Sequence, residues 1–151
     1  MVKKFKLNRN ADSRKHLIRK LAVSLIFHDR IRTTMAKCKF LQPFADKLMT
    51  LAKRNTEESR RIACEMLPNQ ESMEKLFGPM RQQYASRSDG FTRIWPVQFR
   101  RYDSSKMGII EFVDSKNDMK QAFDAMVAQT ESKKLSNGFV DEDDMPIEMK
   151  K

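Results

Sequence analysis

Leu17, Ile18, Leu21, Ala22, Leu25 and Ile26 recur at three- and four-residue intervals, which places them on one arc of a helix. Lys15, His16, Arg19 and Lys20 fall across or beside that arc. The segment is therefore an amphipathic helix that must bury one stripe and turn a basic face outward. Asp12 and Ser13 stand ahead of it as cap residues, and it should stop near His28-Asp29.

The chain that follows reads as short elements needing partners. Arg30-Ile31-Arg32-Thr33-Thr34 alternates as a short strand, with Ile31 and Thr33 on one face and the arginines on the other. Thr34 can cap a second helix, in which Phe40, Leu41, Phe44, Ala45, Leu48, Leu51 and Ala52 form a wide stripe and Pro43 predicts a kink or a break. Asn55 and Glu58 resemble a capping box opening a third helix, with Ile62, Ala63, Met66 and Leu67 inward and Pro68 as its end. Met73, Leu76 and Phe77 suggest a fourth helix, interrupted at Gly78-Pro79 and resuming to Tyr84. The stretches 91–99 and 106–113 are β-branched and aromatic and read as a hairpin. Helix, strand, three helices and two strands close most simply as an α+β fold, a three-stranded sheet with helices on one face.

Charge divides the chain differently. Residues 1–61 hold 17 Lys and Arg against 5 Asp and Glu, residues 62–113 hold 7 against 6, and residues 114–151 hold 6 against 9. The expected organisation is a basic N-terminal arm over 1–10, a domain over 11–114 and an extension over 115–151. That extension has an expected helix at 117–129, carrying Met119, Ala122, Phe123 and Met126, and a disordered acidic tail around Asp141, Glu142, Asp143 and Asp144.

The net charge of +10 in 151 residues points to a polyanion. Lys3, Lys4, Lys6, Arg9, Arg14, Lys15, Arg19 and Lys20 face only Asp12, so they repel one another and need an external anion. Phosphates supply it, and release of their counterions drives binding. A basic arm followed by a basic helix suits folded RNA, which is recognised by shape and backbone.

Other chemistries find little support. His16 and His28 lack a triad arrangement and read as structural or phosphate-contacting. Cys38 and Cys64 do not form a CxxC pair and read as buried free thiols. Four glycines supply neither a GxGxxG nor a Walker sequence, no run is long and apolar enough for a membrane span, and most of the eleven methionines sit at core spacing. The expectation is a protein that is not an enzyme and uses no cofactor, metal or small-molecule substrate. Two rival readings share the basic half: a DNA- or chromatin-associated protein, and a cationic membrane-surface protein using the first helix. Against the latter, Leu17, Leu21 and Leu25 are needed by the core.

From Leu7-Asn8-Arg9-Asn10 to about Asp114 the chain resembles bacterial-type large-subunit ribosomal protein L17. The resemblance is carried by Arg14, Arg19, His28, Ile31-Arg32-Thr33-Thr34, Lys37, Lys39, Leu51-Ala52-Lys53 and Arg60-Arg61. It continues through Lys75-Leu76-Phe77, Tyr84-Ala85-Ser86-Arg87, Gly90-Phe91-Thr92-Arg93-Ile94 and Ile109-Ile110-Glu111-Phe112-Val113. It implies a non-catalytic protein of the large ribosomal subunit, bound to its rRNA near the polypeptide exit, with ribosomal proteins L22 and L32 as neighbours.

The expected RNA contacts are the basic residues of the arm and first helix named above with His16, then His28, Arg30, Arg32, Thr33, Thr34, Lys37 and Lys39. Arg60, Arg61, Arg87, Arg93, Arg100 and Arg101 complete them. The chain departs from the family in a short arm, in Asp89 before Gly90, and in Gln98 and Tyr102 around the hairpin. With the 37 residues after Asp114, these departures imply a ribosome of the mitochondrial matrix, the alternative being the bacterial cytoplasm. The basic N-terminus could double as an uncleaved targeting signal.

Overall fold

The computed structural model describes residues 6–114 and Lys120. The chain divides into two units, Met1–Lys116 and Asn117–Lys151. The expected helix over 117–129, the acidic tail, Lys3 and Lys4 lie outside the described residues, Lys120 apart.

The first helix, α1, spans Ala11–His28. Its cap is Asn10, two residues earlier than the sequence suggests, and the Asn10 side chain accepts the Ser13 N–H at 2.9 Å. Residues 6–10 are not an extended arm. Leu7 and Asn8 both take positive φ, and the Arg9 N–H donates to the Lys6 carbonyl at 3.1 Å, folding the chain into a turn against the helix start. Of the expected stripe, Ile18, Ala22, Leu25 and Ile26 are buried, while Leu17 and Leu21 are half-buried. The helix stops where expected, with Asp29 left-handed at φ 60°. Lys75 braces this end: its ammonium donates to the Phe27 carbonyl at 3.0 Å and meets the Asp29 carboxylate at 3.2 Å. A cation there satisfies an orphan carbonyl and opposes the negative pole of the helix.

Strand β1, Arg30–Thr34, leads directly into α2, Met35–Arg54. Helix α2 runs on through Pro43, so of the two outcomes expected there, a kink or a break, the break does not occur. Seven of its residues are buried, among them Cys38, Leu41, Ala45 and Leu48. It touches α1, α3 and all three strands, so it is the central element of the core.

Asn55 ends α2 in a left-handed turn at φ 48° rather than opening the next helix. Thr56 takes the cap role for α3, Glu57–Met66, accepting the Ser59 N–H at 3.2 Å. The Asx side chain is occupied elsewhere, since Asn55 Oδ1 accepts from Arg60. Beyond Pro68 lies α4, Gln70–Lys75, and the interruption expected at Gly78-Pro79 is a change of helix type rather than a break in the chain's helical course. A wide π-helical turn, Leu76–Met80, absorbs the missing Pro79 N–H and passes into α5, Arg81–Gln83.

Strands β2, Thr92–Val97, and β3, Met107–Phe112, form the expected antiparallel hairpin. The sheet order is β1-β3-β2, with β3 central and both neighbours antiparallel. Gly108 lets the sheet approach α2: a Cβ there would stand 3.3 Å from both Cys38 Sγ and Met35 Cε. Tyr84 closes one end of the core, its ring centroid 6.1 Å from those of Phe91 and Phe112. The architecture is the α+β arrangement expected.

Candidate nucleic-acid interface

The turn of residues 6–10 and the outer face of α1 form one surface. Lys6, Arg9, Lys15, His16 and Lys20 are exposed there. None of these side chains has a hydrogen-bonded or ionic partner among the described residues. Arg9, Asp12, Ser13, His16 and Lys20 line an open depression of about 420 Å³ on this face. Beside it, Lys6, Arg14 and Lys15 rim an apolar groove of about 540 Å³ floored by Ile18, Phe40, Pro43 and Phe44. Phe40 and Phe44 belong to the apolar stripe of α2 but are only half-buried, packed at the edge of the core. The surface thus presents cations unopposed except by Asp12, as the charge count anticipates.

Several expected contacts also serve the protein itself. Arg14 donates to the Lys6 and Arg9 carbonyls at 3.4 and 3.3 Å, stapling the turn to the helix. Arg19 donates to the Glu65 carbonyl at 2.8 Å, fastening α1 to the last turn of α3. Arg60 holds Asn55 and lies 5.4 Å over the Phe77 ring. Arg61 borders a groove of about 850 Å³ whose rim includes Glu57, Glu58 and Glu74, so that surface is not a field of one sign. Arg87 meets the Asp114 carboxylate at 3.1 Å, and its carbonyl accepts from Lys53, whose ammonium lies 5.8 Å from the Phe91 ring.

The remaining candidates lie elsewhere. Arg100 pairs with Asp103, which holds that carboxyl well below the usual carboxylate range, and exposed Arg101 stands beside it at the hairpin tip. His28 is exposed in the last turn of α1. Thr33 and Thr34 are half-buried, as is Lys37, while Lys39 is exposed near the start of α2.

Arg30 and Arg32 are exposed on β1, on the sheet face opposite the helices. Alternation places Arg93, Trp95, Met107, Ile109 and Glu111 on that face with them. Glu111 is fully buried at its centre, accepting the Trp95 indole N–H at 2.5 Å with Arg93 at 3.9 Å. Neither Trp95 nor Glu111 is among the expected RNA contacts, although the period-two pattern of 92–97 assigns Trp95 to the face of Arg93. Cys38 is buried, and burial pushes its thiol up. Cys64 is exposed, against expectation, because it lies away from the Ala63 side of α3.

The profile of a family described as Ribosomal protein L17 matches residues 17–113. A protein of Thermomicrobium roseum named Large ribosomal subunit protein bL17 is 42% identical over 108 residues, covering 72% of this chain and 92% of that relative. One of the same name from Maricaulis maris is 42% identical over 119 residues, 79% of this chain and 85% of the relative. Another, from Ruegeria pomeroyi, is 41% identical over 128 residues, 84% of this chain and 91% of the relative. An alignment of that length includes part of the segment beyond Asp114.

Proposed function

We infer the function from membership first: the chain belongs to the ribosomal protein L17 family and is a non-enzymatic constituent of the large ribosomal subunit. It acts by holding folded rRNA through the turn of residues 6–10 and the outer face of α1. The observation that carries this reading is the set Lys6, Arg9, Lys15 and Lys20, exposed together and without protein partners among the described residues. Cations fixed on a rigid helix match a phosphate backbone whose shape is also fixed, and counterion release supplies the driving force. Arg14 and Arg19 are positioning residues in this scheme, since they set the turn and the helix in place.

The finer assignments follow from the family resemblance. The site is near the polypeptide exit, with ribosomal proteins L22 and L32 as neighbours. The ribosome is that of the mitochondrial matrix, a placement resting on Asp89, Gln98 and Tyr102. The segment beyond Asp114 adds little to that placement, because the Ruegeria relative shares part of it.

Sedimentation of the native protein tests the reading. The full chain should travel with the large subunit through a sucrose gradient, and Lys15→Glu with Lys20→Glu should leave it near the top. Wild-type protein remaining near the top, or a charge-reversed variant assembling normally, would overturn the proposal.

A further inference from the structure

We propose that the sheet face opposite the helices is a stacking platform for an unpaired nucleotide of the rRNA. The proposal rests on the ribosomal reading above but concerns a different surface from α1. Helices α1 and α2 pack on the face that carries Gly108 and Ile110. On the other face, strand register aligns Arg30, Glu111 and Arg93 in one row and Arg32, Ile109 and Trp95 in the next. Arg30 and Arg32 are exposed on this face, and Glu111 is the acid it carries among the described residues, so the face suits an anion. Trp95 is half-buried, and the Arg93 guanidinium lies 5.7 Å from its ring centroid.

Glu111 fixes this arrangement. Its carboxylate takes the indole N–H at 2.5 Å and so sets the plane of the ring. An aromatic side chain held in place beside cations stacks a base while the cations meet the adjoining phosphates. Such a contact needs a base out of the duplex, because paired bases present no free face. The occupant is therefore a loop or bulge nucleotide rather than a helix backbone. A protein neighbour would instead need acids to answer Arg30 and Arg32.

Trp95 is the chain's one tryptophan, so its emission reports this face alone. A short oligouridylate titrated into the full chain should quench that emission saturably. Trp95→Leu should weaken binding of the labelled oligouridylate by about fivefold to a hundredfold, and Trp95→Phe should retain most of it. Arg32→Gln, at an exposed position, should weaken it without threatening the fold. All variants should bind a blunt RNA duplex as the wild type does.

Absence of quenching at saturation would overturn the platform, as would unchanged oligouridylate binding in both Trp95→Leu and Arg32→Gln. Quenching by purified large-subunit proteins but not by RNA would assign the face to a protein and overturn it too. These failures leave duplex binding intact. Failure of the ribosomal reading would instead show as wild-type protein that binds no RNA duplex.

Discussion

Arg19 on α1 donates to the carbonyl of Glu65, 46 residues away, at 2.8 Å. The bond joins a basic helix to the end of α3, where backbone carbonyls lack helical partners. A side chain that reads in sequence as part of a phosphate-binding row is also a tie between two helices.

Arg19 and Lys20 should therefore behave differently when truncated. Arg19→Ala should cost about 1 kcal/mol of stability through loss of the bond. In a domain of this size that lowers Tm by roughly 4 °C. Lys20→Ala should leave Tm unchanged and weaken RNA binding. Thermal unfolding beside an RNA titration checks both, and equal melting temperatures for the two variants would contradict the tie.

Lys75→Met should destabilise the domain by about 1 kcal/mol. It removes both the donor to the Phe27 carbonyl and the cation beside Asp29, while keeping the length of the stem. Lys75 is 30% exposed, so the charge contribution should shrink as salt rises. Denaturant unfolding at low and high salt would show it. A loss independent of salt would mean that packing rather than charge dominates.

Glu111→Gln should cost about 2 kcal/mol, because a buried carboxylate beside Arg93 is replaced by a neutral group. The Trp95 indole hydrogen bond loses its charged acceptor, so the emission maximum should move with it. Unchanged stability and unchanged emission would show that the carboxylate is not what orders the face.

Asp46 gives a pH signature. Burial raises its carboxyl above the ordinary value, while the Thr92 hydroxyl bond at 3.0 Å works in the opposite direction. The folded state thus holds this proton more tightly than the unfolded state. Its contribution favours folding below the usual carboxylate pKa and is lost as pH rises from there through the folded value. Asp46→Asn removes that loss, so the variant should compare better with the wild type at pH 7 than at pH 3. Thermal scans at the two pH values check the sign.

What the sequence conveyed depended on how local the cause was. The stripe of Leu17 to Ile26, the alternation of 30–34 and the β-branched, aromatic stretches 91–99 and 106–113 are short-range signals, and they predict α1 and the three strands. Helix boundaries slipped by a residue or two, at Asn10 and Thr56, because neighbouring Asn, Asp, Ser and Thr all make adequate caps. The course of α2 through Pro43 and the wide turn at Gly78-Pro79 were not legible, since surrounding packing decides whether a proline breaks a helix. At the interface, sequence supplied the sign and location of the charge. It did not separate Lys15 and Lys20 from Arg14 and Arg19, because the acceptors of the arginines are backbone carbonyls, which leave no mark in residue identity.

The central claim is that an exposed cationic face grips folded rRNA by its phosphates. The salt dependence of affinity tests it most directly, measured with the full chain and a large-subunit rRNA fragment. If Lys6, Arg9, Lys15 and Lys20 act with the lysines of the arm on about six phosphates, log K should fall against log salt with a slope of about −5. Lys15→Ala with Lys20→Ala should make that slope shallower by nearly 2. A wild-type slope near zero, or one untouched by the double substitution, would contradict the account.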